Sequence, residues 1–238
     1  MRRISIRATS AVLALAALIF LAAAAQAGSV TGTVIYDDRV PPPKVLQMDG
    51  DPACAAKHKG PVYSERLVLG DGNTMGNVFI QVMNPPAGNY PAPSEPLIID
   101  QVGCVYKPHV AGVLVGQTVK FKNSDGILHN VHGFPAANKA FNRAMPPILP
   151  EIPMVFNQPE PAFPVKCDVH PWMQSYLAVM THPFFAVTEA DGAFTLDGLP
   201  NGTYTVTAWH EHLGTREAEV KVEGGKGTVD VKFKIPER

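Results

Sequence analysis

Cysteine is scarce in this chain, with three residues in 238, and the number is odd. Charge is thin as well: charged side chains make up 17% of the residues and aromatic ones 8%. Beyond residue 27 no stretch is apolar enough to span a bilayer, and there is no coiled-coil repeat or low-complexity tract. A glycine-rich phosphate cradle and an H-E-x-x-H helix are also missing. Ser124 and Ser175 have no G-x-S-x-G context. Several Asp and Glu residues sit in turns, where capping accounts for them better than acid–base chemistry. No nucleophile, base and acid stand in a usable arrangement, so nothing here reads as an enzyme.

What is present begins with an export signal. Arg2, Arg3 and Arg7 precede an apolar run at residues 11–25, and Ala25-Gln26-Ala27 supplies the small-x-small pattern of a cleavage site. The mature chain is expected to start at Gly28, in the periplasm or outside the cell, with no membrane span. No cysteine follows the cleavage point, so a lipid anchor is not expected. Removing residues 1–27 leaves 17 basic against 21 acidic residues, which moves the formal net charge from −1 to −4. That balance argues against a nucleic-acid partner, which would want a basic face.

Glycine and proline are plentiful, at 20 and 23 residues, and short alternating segments recur between them. Strands are expected at 30–36, 77–83, 97–100, 110–115, 118–122, 127–131 and 175–180. A second series, at 184–188, 193–196, 203–209, 217–222 and 228–234, is punctuated by turns at the spacing of an antiparallel sandwich. The fold class is therefore all-β. Residues 49–60 read as a short helix or an ordered loop. Residues 145–164 carry seven prolines and are expected to form a long surface crossing, with no helix and no central strand.

The densest chemistry lies in Cys167-Asp168-Val169-His170-Pro171-Trp172-Met173. A thiolate, an imidazole and a thioether at spacing C-x2-H-x2-M suit a copper ion that shuttles one electron. The sulfur ligands satisfy Cu(I), and imidazole also holds Cu(II). Zinc fits less well, because methionine is a poor zinc ligand. One further histidine is needed, and His129 and His132 compete for the role; three residues apart on a strand, they point to opposite faces. One economical use of the cysteines pairs Cys54 with Cys104 and leaves Cys167 for the metal. A Cys54–His58 ligand pair is the other reading of Cys54. His210 and His212 would share a face of a strand, a pair that either binds metal or is simply solvated. His58, His109 and His182 carry no spacing that argues chemistry.

The segment Phe121-Lys122-Asn123-Ser124-Asp125, then His129-Asn130-Val131, then Cys167 closely resembles the cupredoxin family over roughly residues 97–180. The loop from Cys167 to Met173, with its His-Pro-aromatic-Met order, looks most like the amicyanin branch. The resemblance implies a small β-sandwich or barrel with one type-1 (blue) copper ion. His129, Cys167 and His170 would be its trigonal ligands and Met173 the weak axial one. It also implies that Asn130 braces the two ligand loops near the Cys167 sulfur. Pro171 and Trp172 would form an apolar collar around His170, whose exposed edge would pass electrons. His132 is left as a rim residue. Asp168 departs from the pattern by placing an acid beside the thiolate, which is expected to favour Cu(II).

Farther on, Asp191-Gly192-x-Phe194 and Leu199-Pro200-x-Gly202-x-Tyr204 resemble the carboxypeptidase regulatory-like, or transthyretin-like, β-sandwich, a non-catalytic module. The strands at 30–36 and 77–83 look like the first part of that same module, with the copper unit inserted. The expected organisation is a signal peptide at 1–27, an N-terminal β segment at 28–95, a copper domain at 96–180 and the regulatory-like sandwich at 181–238. The function expected is that of an exported mononuclear blue copper protein carrying single electrons between redox partners that the sequence does not name. The other readings are copper storage or delivery without a redox circuit, and a non-metal adhesion or scaffold module.

Overall fold

The computed structural model describes residues 27–234, so the export signal expected at residues 1–27 lies outside the described residues except for Ala27. Strand β1 (Gly28–Tyr36) is followed by a one-turn helix α1 (Pro52–Ala55) and by β2 (Val68–Leu69), β3 (Met75–Gly76) and β4 (Phe79–Val82). Nine strands come next: β5 (Leu97–Gln101), β6 (Tyr106–Lys107), β7 (Val110–Leu114), β8 (Thr118–Asn123), β9 (His129–Gly133), β10 (Phe141–Met145), β11 (Glu151–Val155), β12 (Glu160–Lys166) and β13 (Gln174–Met180). The last six are β14 (Phe185–Val187), β15 (Ala193–Leu199), β16 (Gly202–His210), β17 (Gly214–Val222), β18 (Lys226–Thr228) and β19 (Val231–Phe233).

Strand order in space departs from order in sequence. β1 pairs antiparallel with β15 and parallel with β18 and β19. β4 lies between β14 and β16, antiparallel to both, with β17 outside β16. These two sheets close over one core that includes Val30, Val34, Ile80, Val82, Leu196, Val206, Val222 and Phe233. Phe194 and Tyr204 are buried in it. This host sandwich is thus built from strands on both sides of residues 97–180 in the sequence.

The inserted sandwich has a five-stranded sheet, β10-β9-β12-β13-β7, facing a four-stranded sheet, β11-β8-β5-β6. Side-chain alternation does the sorting: β8 buries Val119, Phe121 and Asn123 and turns Thr118, Lys120 and Lys122 outward. Ile99 and Phe121 from one sheet meet Val131, Val165 and Leu177 from the other. An arm of the N-terminal segment packs on this core as well, through Leu46, Met48, Cys54 and Val62. Between the sandwiches, Phe79, Val110, Leu114, Ala178 and Met180 form a third apolar cluster. Gly112 is required there, since a Cβ would lie 2.7 Å from the rings of Phe79 and Phe185.

The proline-rich segment is not the surface crossing that its composition predicts. It contains β11 and β12, and β12 is the middle strand of the five. Proline forbids a ladder donor, not an extended backbone. Pro153 lies in β11 at a sheet edge, and Pro161 falls where the β12–β13 register shifts between Glu160 and Phe163. Pro164 precedes the two residues of β12 that pair with β9, and its carbonyl accepts from Phe134 N at 3.1 Å. No ladder N–H is demanded at any of the three positions.

Candidate metal centre

His129 enters the centre from a tight turn. The Asn123 side chain ends β8 by donating to the carbonyls of Ile127 and Met145, both at 2.8 Å, and accepts from Asp125 N at 3.2 Å. Gly126 takes φ +68°, a left-handed conformation that costs glycine little. The turn delivers His129 as the first residue of β9, fully buried. The loop between β12 and β13 is closed by its own backbone: Cys167 N donates to Met173 O at 3.2 Å and Met173 N to His170 O at 2.9 Å. Cys167, His170 and Met173 are all at most 2% exposed.

Three donor atoms converge. The Nδ1 atoms of His129 and His170 are 2.9 Å apart, and the Cys167 sulfur lies 3.9 and 3.8 Å from them. A triangle of this size accommodates one ion at bond lengths of about 2.0–2.3 Å, the range for metal–nitrogen and metal–sulfur bonds. Met173 is buried in the same apolar cluster as Cys167. Two imidazoles, a thiolate and a nearby thioether form a donor set suited to copper.

Electrostatics prepare the thiolate. Burial pushes the Cys167 thiol up, but contacts with the His129 and His170 rings and with the Asn130 and His170 backbone outweigh it and bring the thiol down to about 7. The Asn130 N–H stands 3.5 Å from the sulfur. Asn130 also fastens the two ligand segments: its Oδ1 accepts from Asp168 N at 2.5 Å and its Nδ2 donates to Asn142 and Asp168. Asp168 is engaged by other neighbours. Its carboxylate meets His132 Nδ1 at 3.0 Å and Asn142, and its side chain is half exposed.

The outer nitrogen of each imidazole meets a carboxylate. His129 Nε2 is 3.0 Å from Asp125, whose side chain is 2% exposed. Burial opposes ionisation of Asp125, yet His129, the Cys104 and Gly103 N–H groups and Lys57 hold it at about 2. Burial works to lower the His129 pKa, but the contacts of its ring with Asp125 and with the Cys167 sulfur raise it. His170 Nε2 is 2.9 Å from Asp51. Asp51 caps α1 by accepting from Ala53 N at 2.8 Å, and Cys54 of that helix is disulfide-bonded to Cys104. The expected exposed edge of His170 is therefore corrected: His170 is 1% exposed because the arm carries Asp51 over it, while Trp172 packs on the ring with centroids 5.1 Å apart. Such carboxylate–imidazole contacts fix ring orientation and raise ligand basicity.

The remaining histidines are elsewhere. His132 sits on the rim, and His58 Nε2 contacts the Gly103 carbonyl at 2.8 Å. His210 and His212 do not share a face, because β16 ends at His210 and the chain turns; His210 Nδ1 accepts from the N–H groups of His212 and Leu213. His109, silent in the sequence, pairs at 2.5 Å with the buried carboxylate of Glu211. Asp51 was equally silent; its position just before Pro52, three residues ahead of Cys54, marks a helix cap and nothing more until the disulfide locates it.

No protein-family model and no curated protein matches the sequence. Solved structures that are similar include a Cu-containing nitrite reductase from Thermus scotoductus SA-01, 22% identical, with 41% of this chain and 25% of that one covered and a TM-score of 0.34. An amicyanin variant in the Cu(I) state is 20% identical over 42% of this chain and 98% of its own, at a TM-score of 0.33. The purple cupredoxin of Nitrosopumilus maritimus is 23% identical over 36% and 98%, at 0.30. The similarity spans a quarter of the nitrite reductase.

Proposed function

We propose that this is an exported electron carrier with one type-1 copper ion held by His129, Cys167 and His170, with Met173 as weak axial ligand. Residues 96–180 are its copper domain. Residues 28–95 and 181–238 contribute a host sandwich of the carboxypeptidase regulatory-like kind, and the signal at 1–27 directs export. The observation that carries the reading is the buried triangle of two Nδ1 atoms and one sulfur. Bound copper would supply the one-electron couple between Cu(I) and Cu(II). The chain's own residues do the rest: Asn130 fixes the distance between the ligand segments, Asp51 and Asp125 hold the rings in orientation, and the apolar core around Cys167 and Met173 excludes water. A site set in advance this way limits rearrangement between oxidation states.

The test is the visible spectrum after loading with Cu(II). An intense thiolate-to-copper band that disappears in Cys167→Ser supports the reading, and a colourless loaded protein overturns it. Copper storage or delivery is the second reading, favoured by one observation: His170 is sealed beneath Asp51 and offers no exposed edge. Fast reversible reduction at an electrode favours the carrier, and sluggish reduction favours storage.

A further inference from the structure

Metal-binding side chains continue past the triangle. Cys54, Asp51 and His170 form a group whose donor atoms all lie within 4.8 Å of one another, and Cys104, Asp125 and His129 form another. The two cysteines are fully buried and bonded to each other, with Cα atoms 5.6 Å apart. As a disulfide they offer a metal little, because their sulfurs carry no charge; as thiolates they would be strong ligands for a soft cation. We infer that reduction of the Cys54–Cys104 disulfide opens a second site for Cu(I), beside the first and built on the two released thiolates. The inference rests on the assignment of His129, Cys167 and His170 as the first copper site.

The geometry favours a site that persists once the sulfur–sulfur bond is gone, because other contacts hold both cysteines in place. On the arm, Asp51 caps α1 and Lys57 Nζ donates to the Asp125 carbonyl at 2.8 Å. His58, also on the arm, reaches the Gly103 carbonyl, and from the 167–173 loop Trp172 Nε1 donates to the Cys104 carbonyl at 3.0 Å. On the other side, the Asp125 carboxylate accepts from Gly103 N and Cys104 N at 2.7 and 2.8 Å, pinning Cys104 at φ +53°. The arm is thus stitched to the 103–104 turn independently of the disulfide, and Lys57, 3.2 Å from Asp125, brings positive charge toward the new anions. The chemistry balances simply. A dithiol cleaves the bond by exchange: the protein disulfide gains two electrons and two protons, and the dithiol becomes its cyclic disulfide. Cu(I) then displaces the thiol protons to solvent.

The experiment is an anaerobic Cu(I) titration of the full chain against a chromophoric Cu(I) chelator, before and after reduction with dithiothreitol and desalting. Far-UV circular dichroism is recorded in parallel. One Cu(I) per chain is expected in the disulfide form and two in the reduced form, with the fold retained. The second equivalent should vanish in Cys54→Ser/Cys104→Ser and survive in Cys167→Ser. If the double variant does not fold, Cys54→Ala and Cys104→Ala serve singly, each binding the added ion at least tenfold more weakly. An unchanged stoichiometry, a gain that persists without these cysteines, or loss of fold on reduction each overturns the inference. A disulfide form that takes up no copper, with the reduction-dependent equivalent intact, would instead overturn the first site.

Discussion

The two sandwiches are built alike and filled differently. The host core is almost wholly aliphatic and aromatic, and the buried polar groups of its strands and turns are few: His182, Thr188, Thr207, His210 and the Glu211 carboxylate. The inserted sandwich buries Gln101, Asn123, His129, Asn130, Glu160 and His170 in addition to its apolar core. Nearly all of these have partners, and those of the centre gather where β8, β9 and the 167–173 loop meet. Similar sheet packing therefore serves two ends: one sandwich is a support, and the other tolerates polar burial at one pole because turns supply the donors and acceptors.

If that contrast holds, damage should stay local. Phe121→Ala, in the centre of the inserted core, should destabilise that sandwich by about 3–5 kcal/mol and release copper at lower denaturant. The host transition, followed by hydrogen exchange of the β1–β15 ladder, should hardly move; equal shifts in both would mean that they unfold as one unit.

Acid should separate them in the opposite order. Burial holds His210 at about 4, while an unfolded histidine titrates near 6.5. As the pH falls below about 6.5, the unfolded chain takes up a proton that the folded one refuses until about 4. Stability of the host sandwich is then lost across that window, by about 3 kcal/mol. Asp125, held at about 2, withdraws its contribution to the copper-free inserted sandwich only as the pH falls from about 4 toward 2. Denaturation of the copper-free protein at stepped pH should show the host half weakening first, and His210→Gln should flatten its slope.

Smaller effects probe the centre itself. Asp51→Asn keeps the helix cap but removes the charge facing His170, and should weaken copper binding about 10–100-fold, read by chelator competition. His132→Ala removes partly exposed contacts with Asp168, Asn142 and the Phe134 ring. It should leave the visible band in place and change stability by less than about 0.5 kcal/mol.

Much of this was legible in the residues. Alternation marked most strands, and the strands at 30–36 and 77–83 indeed pair with those beyond residue 184. Ligand order along the chain pointed to His129, Cys167 and His170, which the fold brings to one spot. The odd cysteine count suggested Cys54 with Cys104, and that bond is present. What stayed hidden depended on long-range placement. Counting prolines cannot reveal that Pro161 and Pro164 occupy positions in β12 where no donor is needed. Nor can a stretch without periodicity reveal that Asp51 reaches His170, 119 residues away. β10 was missed because Phe-Asn-Arg-Ala-Met shows no alternation; its place is set by pairing Met145 with His129.

The parallel pairing of β1 with β18 and β19 has a mechanical meaning. Tension between the ends of the described chain would pull Gly28 one way and Phe233 the other, so the β1–β19 ladder, in register from Val34↔Val231 to Tyr36↔Phe233, is loaded in shear. Bonds loaded in shear resist together, whereas bonds that are peeled yield one at a time. The inserted sandwich leaves and rejoins the host beside the adjacent strands β4 and β14, where Val82 N donates to Phe184 O at 3.1 Å. It hangs off the load-bearing path, and a protein stretched by its ends would keep its candidate metal centre slack until the host gave way.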